Sequence, residues 1–288
     1  MEALATWERG RVFALDGAAQ HRRKIGQGGA QCHVMIPYQD TVATRYPPLA
    51  VWGLLAVNIV VFVHQVSLPA ALQERFIATF ALVPARYFGA LALLAPPTTP
   101  ADWLPFFTNM FLHAGWLHLG VNMWTLWIFG RAVEDRLGAG RFLGFFIACG
   151  LAASVAHAVL NPDSVVPALG ASGAIAGVIG CYARMFPFAR LVMIVPIVIV
   201  PLFVEVSAIA FALVWFVLQI VPGLLALGQD TDAGGIAWWA HVGGFVAGVL
   251  LAPLVRRPQA AYRPYYPDEG ICGFMPDGRR RRGRGPWG

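Results

Sequence analysis

The stretch from Ala168 to Phe186 reads ALGASGAIAGVIGCYARMF. It is apolar enough for a helix in lipid, yet it carries glycine at 170, 173, 177 and 180, with one serine, Ser172, between the first two. Each glycine weakens an isolated helix by about 1 kcal/mol relative to alanine. In a membrane the same residue lets two helix backbones approach closely, and Gly173 and Gly177 form a GxxxG pair that Gly180 continues. A second pair, Gly244 and Gly248, lies in AHVGGFVAG (240–248). The two seams predict that their helices press together and bring Ser172 near His241. A serine hydroxyl becomes a useful nucleophile once a base takes its proton.

The rest of the chain supports a membrane setting. Of 288 residues, 58% are apolar and 12% charged, against about a quarter charged in soluble domains. A crossing helix needs about 20 mostly apolar residues. Six stretches qualify, at 48–66, 117–132, 142–160, 171–186, 202–222 and 237–255. A seventh apolar stretch, 78–95, contains Pro84 and Arg86 and is read as an interfacial element. The expected fold is an all-α membrane protein: a six-transmembrane helical bundle with a long first extracytoplasmic loop.

Basic residues orient the bundle. Arg9, Arg11, Arg22, Arg23, Lys24 and Arg45 precede the first span. Arg131, Arg136 and Arg141 lie at or beyond the end of the second, Arg184 and Arg190 at or beyond the end of the fourth, and arginine is dense after the sixth. The opposite side has Arg75 and Arg86. The excess predicts both termini in the cytoplasm. Residues 1–46 are expected to be a cytoplasmic segment without fixed structure. The text MIPYQDTVATRYPP from Met35 reads as a natural beginning, so the expectation is that 1–34 are a mis-assigned start. The bundle then occupies 47–256, and 257–288 form a disordered basic tail. Its run Arg279-Arg280-Arg281-Arg282 suits anionic lipid better than nucleic acid, which is not expected as a partner. Cys32, Cys149, Cys181 and Cys272 show no metal-ligand spacing, so neither metal nor cofactor is expected.

Polar groups inside a bilayer are expensive and ask for a reason. The second span opens with FLHAGWLHLGVNMW (111–124), which holds His113, His118 and Asn122. The fourth opens with Ser172 and the sixth with His241. All three spans run from outside to inside, so these residues share one depth. His118 and Asn122 are four apart, on one helix face. Ser172 stands at a helix N-terminus, where free N–H groups favour negative charge. Asn122 and His118 can add donors to a developing oxyanion. No aspartate is placed to orient His241, so a Ser-His dyad is the economical reading. Glu134 is read as part of a cytoplasmic cluster with Arg136 and Arg141, and Glu205 as lying near the start of the fifth helix.

These residues resemble the rhomboid intramembrane serine proteases. The matching text is FFTNMFLHAGWLHLGVNMWTLWIFGRAVEDRLG (106–138), GASGAIAGVIG (170–180) and AHVGGFVAG (240–248). The resemblance implies a six-span, bacterial-type protease in the bacterial inner membrane that cuts transmembrane segments of other proteins. Ser172 would be the nucleophile and His241 the base. His118, Asn122 and the Ser172 backbone would form the oxyanion hole, and His113, Gly170 and Gly173 would shape the site. The family often has an aromatic four residues after the serine, packed on the base. Here that place is Ala176, and Phe245 or Trp238 is expected to substitute. A Trp-Arg pair often precedes the Phe-Thr of the first loop, where this chain has Trp103-Leu104-Pro105.

Blander readings exist. A lone serine at a helix start is more often a cap, and a lone histidine often only bonds a carbonyl. A catalytically silent scaffold or chaperone would usually lack the serine or the histidine. A small-molecule transporter predicts ionisable residues near mid-membrane and often an internal repeat; neither is present.

Overall fold

A computed structural model describes residues 36–197, 200–226, 237–257, 275 and 277–279. Six long helices dominate: α1 (Leu49–Ser67), α5 (Trp116–Leu137), α6 (Ala139–Leu160), α7 (Ser172–Met185), α8 (Ala208–Ala226) and α9 (Trp238–Val255). Shorter α2 (Ala70–Phe80), α3 (Ala90–Leu94) and α4 (Pro105–Thr108) fill the long connection between α1 and α5. Leu49–Ser67, Ala139–Leu160, Ala208–Leu225 and Trp238–Val255 are each long and apolar enough to cross a membrane. The protein is a helical integral membrane protein.

The centre of the bundle is α7. Every residue from Gly173 to Ala183 is buried, as expected of a helix with partners on all sides. The glycine seams meet as the sequence predicts. A Cβ on Gly180 would lie 2.6 Å from the carbonyl oxygen of Phe245. One on Gly244 would run into the carbonyl of Gly173, and one on Gly248 into that of Gly177. On another side, a Cβ on Gly177 would lie 2.6 Å from Cys149 Sγ of α6. Cys149 and Cys181 are free, buried thiols. Cys32 and Cys272 lie outside the described residues.

Gly138, with φ of +79°, ends α5 and starts α6 in one residue. The guanidinium of Arg257 packs against it, which a side chain would prevent. Glu134 accepts hydrogen bonds from the backbone N–H groups of Ala50 (2.9 Å) and Val51 (2.8 Å), capping α1. Its neighbour Asp135 accepts from Tyr46 N at 2.9 Å and pairs with Arg136 at 3.6 Å. The acidic pair therefore mainly satisfies the free donors at a helix start.

Three expectations need correction. The fold is not all-α. Strands β1 (Ile36–Asp40), β2 (Arg190–Ile197) and β3 (Val200–Ser207) form an antiparallel sheet in the order β1-β2-β3. Asp40 faces Leu191, Met193 faces Val204, and Arg190 faces Ser207. The fifth helix accordingly starts at Ala208 rather than 202, and Glu205 sits in β3. The segment 190–207 is a near-continuous apolar run, and such a run reads alike as strand or helix. Its valines and isoleucines suit strand, and Pro196 and Pro201 disfavour a continuous helix. Third, the part of 1–46 that is described is structured. Asp40 is buried and accepts from Arg131 Nη2 at 2.6 Å and from the Tyr182 hydroxyl at 3.2 Å. Trp124 Nε1 donates to the carbonyl of Pro37 at 2.7 Å. Residues 1–35 lie outside the described residues, as does the basic tail except for 257, 275 and 277–279. There Gly278 O accepts from the Thr41 hydroxyl at 2.8 Å, and Arg279 lies 5.0 Å from the Phe188 ring centre.

Candidate active site

Ser172 is the first residue of α7, and His241 lies in the first turn of α9. The glycine contacts between these helices bring the two side chains together: His241 Nε2 is 2.8 Å from Ser172 Oγ. The loop before α7 is held from below. Gly170 N–H donates to Asn109 O at 2.9 Å, Ala168 pairs with Leu82, and Ala85 N–H donates to Ser164 O at 3.0 Å. The long first connection thus sets the height at which α7 begins.

Gly170 has φ of +126°, in the region that favours glycine. A Cβ there would stand 2.7 Å from His118 Cε1 and 3.6 Å from Asn122 Nδ2. His118 and Asn122 therefore lie directly across from the turn that carries Ser172. Asn122 Nδ2 is buried and has no hydrogen-bond partner among the described residues. An orphaned donor of this kind is unusual in a folded interior. The Ala114 N–H approaches His118 Nδ1 at 3.4 Å. An acceptor role for Nδ1 leaves the proton on Nε2, as a second donor.

His113 is fully buried behind these groups, its ring edge-on to His118 with centroids 5.2 Å apart. Neither of its ring nitrogens has a hydrogen-bond partner among the described residues. Its backbone is tied to Gln65, whose Nε2 donates to His113 O at 2.7 Å. Gly173 serves packing, with Ala153 2.6 Å from where its Cβ would be.

Two participants were not anticipated, and both come from α8. His241 Nδ1 lies 2.7 Å from Gln219 Oε1. Trp215 lies against the same imidazole, ring centroids 5.9 Å apart and 43° between planes. Of the two aromatics expected there, Trp238 meets His241 edge-on at 6.5 Å. Phe245 packs instead on Trp215 and Phe216. A polar residue in an apolar helix was the available signal for Gln219; nothing in the sequence named its partner.

Ser172, His241, His118, Asn122, Trp215 and Gln219 all border one cavity of about 560 Å³ between α5, α7, α8 and the start of α9. Outside the bundle, in the first connection, Thr99 and Thr98 hydrogen-bond the Asp102 carboxylate and hold it below its ordinary range. The Thr99 backbone is the main cause, and the bonds fix the 3-10 turn that carries Trp103.

A half-buried serine and histidine in hydrogen-bond contact, inside a helical membrane protein, define the class. Residues 100–258 match the Rhomboid domain, and the chain belongs to that family. It is 30% identical over 215 residues to Rhomboid protein 1, mitochondrial, of Saccharomyces cerevisiae, which covers 73% of this chain and 54% of the yeast protein. It is 43% identical over 79 residues to Rhomboid protease GluP of Bacillus subtilis, covering 27% of this chain and 15% of that protein. Putative rhomboid protease YdcA of the same organism is 37% identical over 87 residues, 30% of this chain and 43% of that protein. The matches thus span about half the length of the yeast relative and less of the other two.

Proposed function

We propose that this protein is an intramembrane serine endopeptidase that cuts other membrane proteins in or near their transmembrane segments. The observation that carries the reading is the 2.8 Å contact between Ser172 Oγ and His241 Nε2. As Oγ attacks the scissile carbonyl carbon, Nε2 takes its proton. The carbonyl oxygen becomes an oxyanion, received by the Asn122 amide, the His118 Nε2–H and the Ser172 backbone N–H. The intermediate collapses, the C–N bond breaks, and His241 returns the proton to the leaving amine. Water then attacks the acyl-enzyme carbonyl with His241 again as base, and Ser172 recovers its proton as the acid departs. The cavity supplies room for a substrate strand and for that water, as a hydrolase within a bilayer requires.

The same reading takes α1, α5, α6, α7, α8 and α9 as six crossings with both termini cytoplasmic, on the distribution of arginine. The reading keeps the bacterial membrane expected from the sequence; two relatives come from Bacillus subtilis, and the yeast relative is named as mitochondrial. A silent scaffold is the second reading, and the intact pair, orphaned Asn122 donor and adjoining cavity speak against it. An activity-based probe for serine nucleophiles, applied in membranes, tests the choice. Labelling of the wild type and none of Ser172→Ala is expected. Equal labelling of both would end the proposal.

A further inference from the structure

Histidine can act as the base only if Nε2 carries a lone pair, which requires the proton of the neutral ring to sit on Nδ1. In the Ser-His dyad read from the sequence, nothing enforces that tautomer. We propose that Gln219 does: its side-chain carbonyl accepts the Nδ1–H of His241 and holds the ring with Nε2 toward Ser172 Oγ. The inference rests on the protease reading above. It makes the site a three-helix relay, with the nucleophile on α7, the base on α9 and a positioning residue on α8.

The geometry is specific. Oε1 stands 2.7 Å from Nδ1 while Oγ stands 2.8 Å from Nε2, so both ring nitrogens are engaged at once. Gln219 is 9% exposed, and Trp215, one helical turn earlier on the same face, lies against the same imidazole. A hydrogen bond and a ring contact from one helix face define both the rotation and the tilt of the imidazole. Among the described residues, the ionisable groups that act on His241 are His118 from α5 and His157 from α6, and no carboxylate is one of them. A neutral amide suits this place physically. A carboxylate would stabilise the imidazolium more, but burying its charge at this depth in a membrane carries a large desolvation penalty. The amide orients the ring without that penalty.

The plain alternative is that Gln219 merely satisfies its own buried amide. Steady-state cleavage of a reporter transmembrane substrate by the full chain in liposomes separates the two, using Gln219→Met and Gln219→Glu. For Gln219→Met we expect kcat to fall about 10- to 100-fold with KM little changed. That loss is smaller than the roughly 10⁴-fold seen when a histidine base is put in the wrong tautomer. For Gln219→Glu we expect activity above that of Gln219→Met. Its acidic limb of kcat against pH should move to higher pH, because a carboxylate at Nδ1 favours the protonated ring. A Gln219→Met enzyme with wild-type kcat overturns the proposal. So does a Gln219→Glu enzyme whose acidic limb stays where the wild type has it, and this second measurement stands even if the methionine variant folds poorly. Ser172→Ala serves as the reference. Full turnover by Ser172→Ala would refute the protease reading itself, whereas its inactivity beside an unaffected Gln219→Met would refute the role of Gln219 alone.

Discussion

His241 stands between two unlike neighbours. On one side α7 and α9 meet backbone to backbone: the carbonyls of Gly173 and Gly177 fill the space a side chain would need on Gly244 and Gly248. On the other side α8 stands across a cavity of about 560 Å³ and reaches the imidazole through two side chains, Trp215 and Gln219. Among the described residues, much of α8 has no protein partner: Leu213 is 56% exposed and Leu218 61%. The contrast separates two tasks. On the proposed protease reading, the glycine seam sets the distance between nucleophile and base, because close-packed backbones yield little. On the same reading, the α8 side leaves space for a substrate and aims the ring through a few polar and aromatic contacts.

The sharpest way to break this comparison is to remove the pair itself. Ser172→Ala and His241→Ala are each expected to abolish reporter cleavage while the thermal unfolding of the detergent-solubilised protein stays near wild type. Substantial turnover by either would detach the chemistry from the seam.

The seam comes next. Gly244→Val should destabilise the protein by about 3 kcal/mol or more, beyond the usual range for overpacking, because the opposing atom is a backbone carbonyl. Activity should be lost with it. An unshifted melting temperature with full activity would show that α7 and α9 are further apart than the glycines imply. A third variant probes the cavity side. Asn122→Ala removes one proposed oxyanion donor and should slow kcat about 10- to 1,000-fold without changing stability. A change in KM alone would assign Asn122 to substrate binding instead.

The smallest effect is expected on the outer face of α8. Leu218→Ala, at a largely exposed position, should shift stability by no more than about 0.5 kcal/mol and leave kcat unchanged. A large loss would mean that α8 is packed against something the bundle does not itself provide.

Much of the site could be read in the chain because its signals are local. His118 and Asn122 share a helix face by spacing alone, and the small-residue pairs at 173/177 and 244/248 announce two helices that must touch. Ser172 and His241 head those helices, so the seam that joins the helices also joins the side chains. Apolar length did the same for most of the membrane helices.

What escaped the sequence required knowledge of distant neighbours. Gln219 was visible only as a polar residue in an apolar helix; which group it serves depends on the rotation of α8 against α9, a relation 22 residues and a turn of chain away. Ala176 signalled that a customary aromatic is missing, but Trp215 could replace it only because α8 brings it to the same imidazole. The strand pair at 190–207 is decided in the same way. A run apolar throughout has no period to distinguish helix from sheet. The outcome was left to tertiary packing, where Leu191 and Met193 enter the core and β1 arrives from more than 100 residues earlier to complete the sheet. Local spacing determined the chemistry proposed for this protein. The three-dimensional arrangement decided what holds it in place, because hydrogen bonds and ring contacts between separate helices leave no periodic trace in either one.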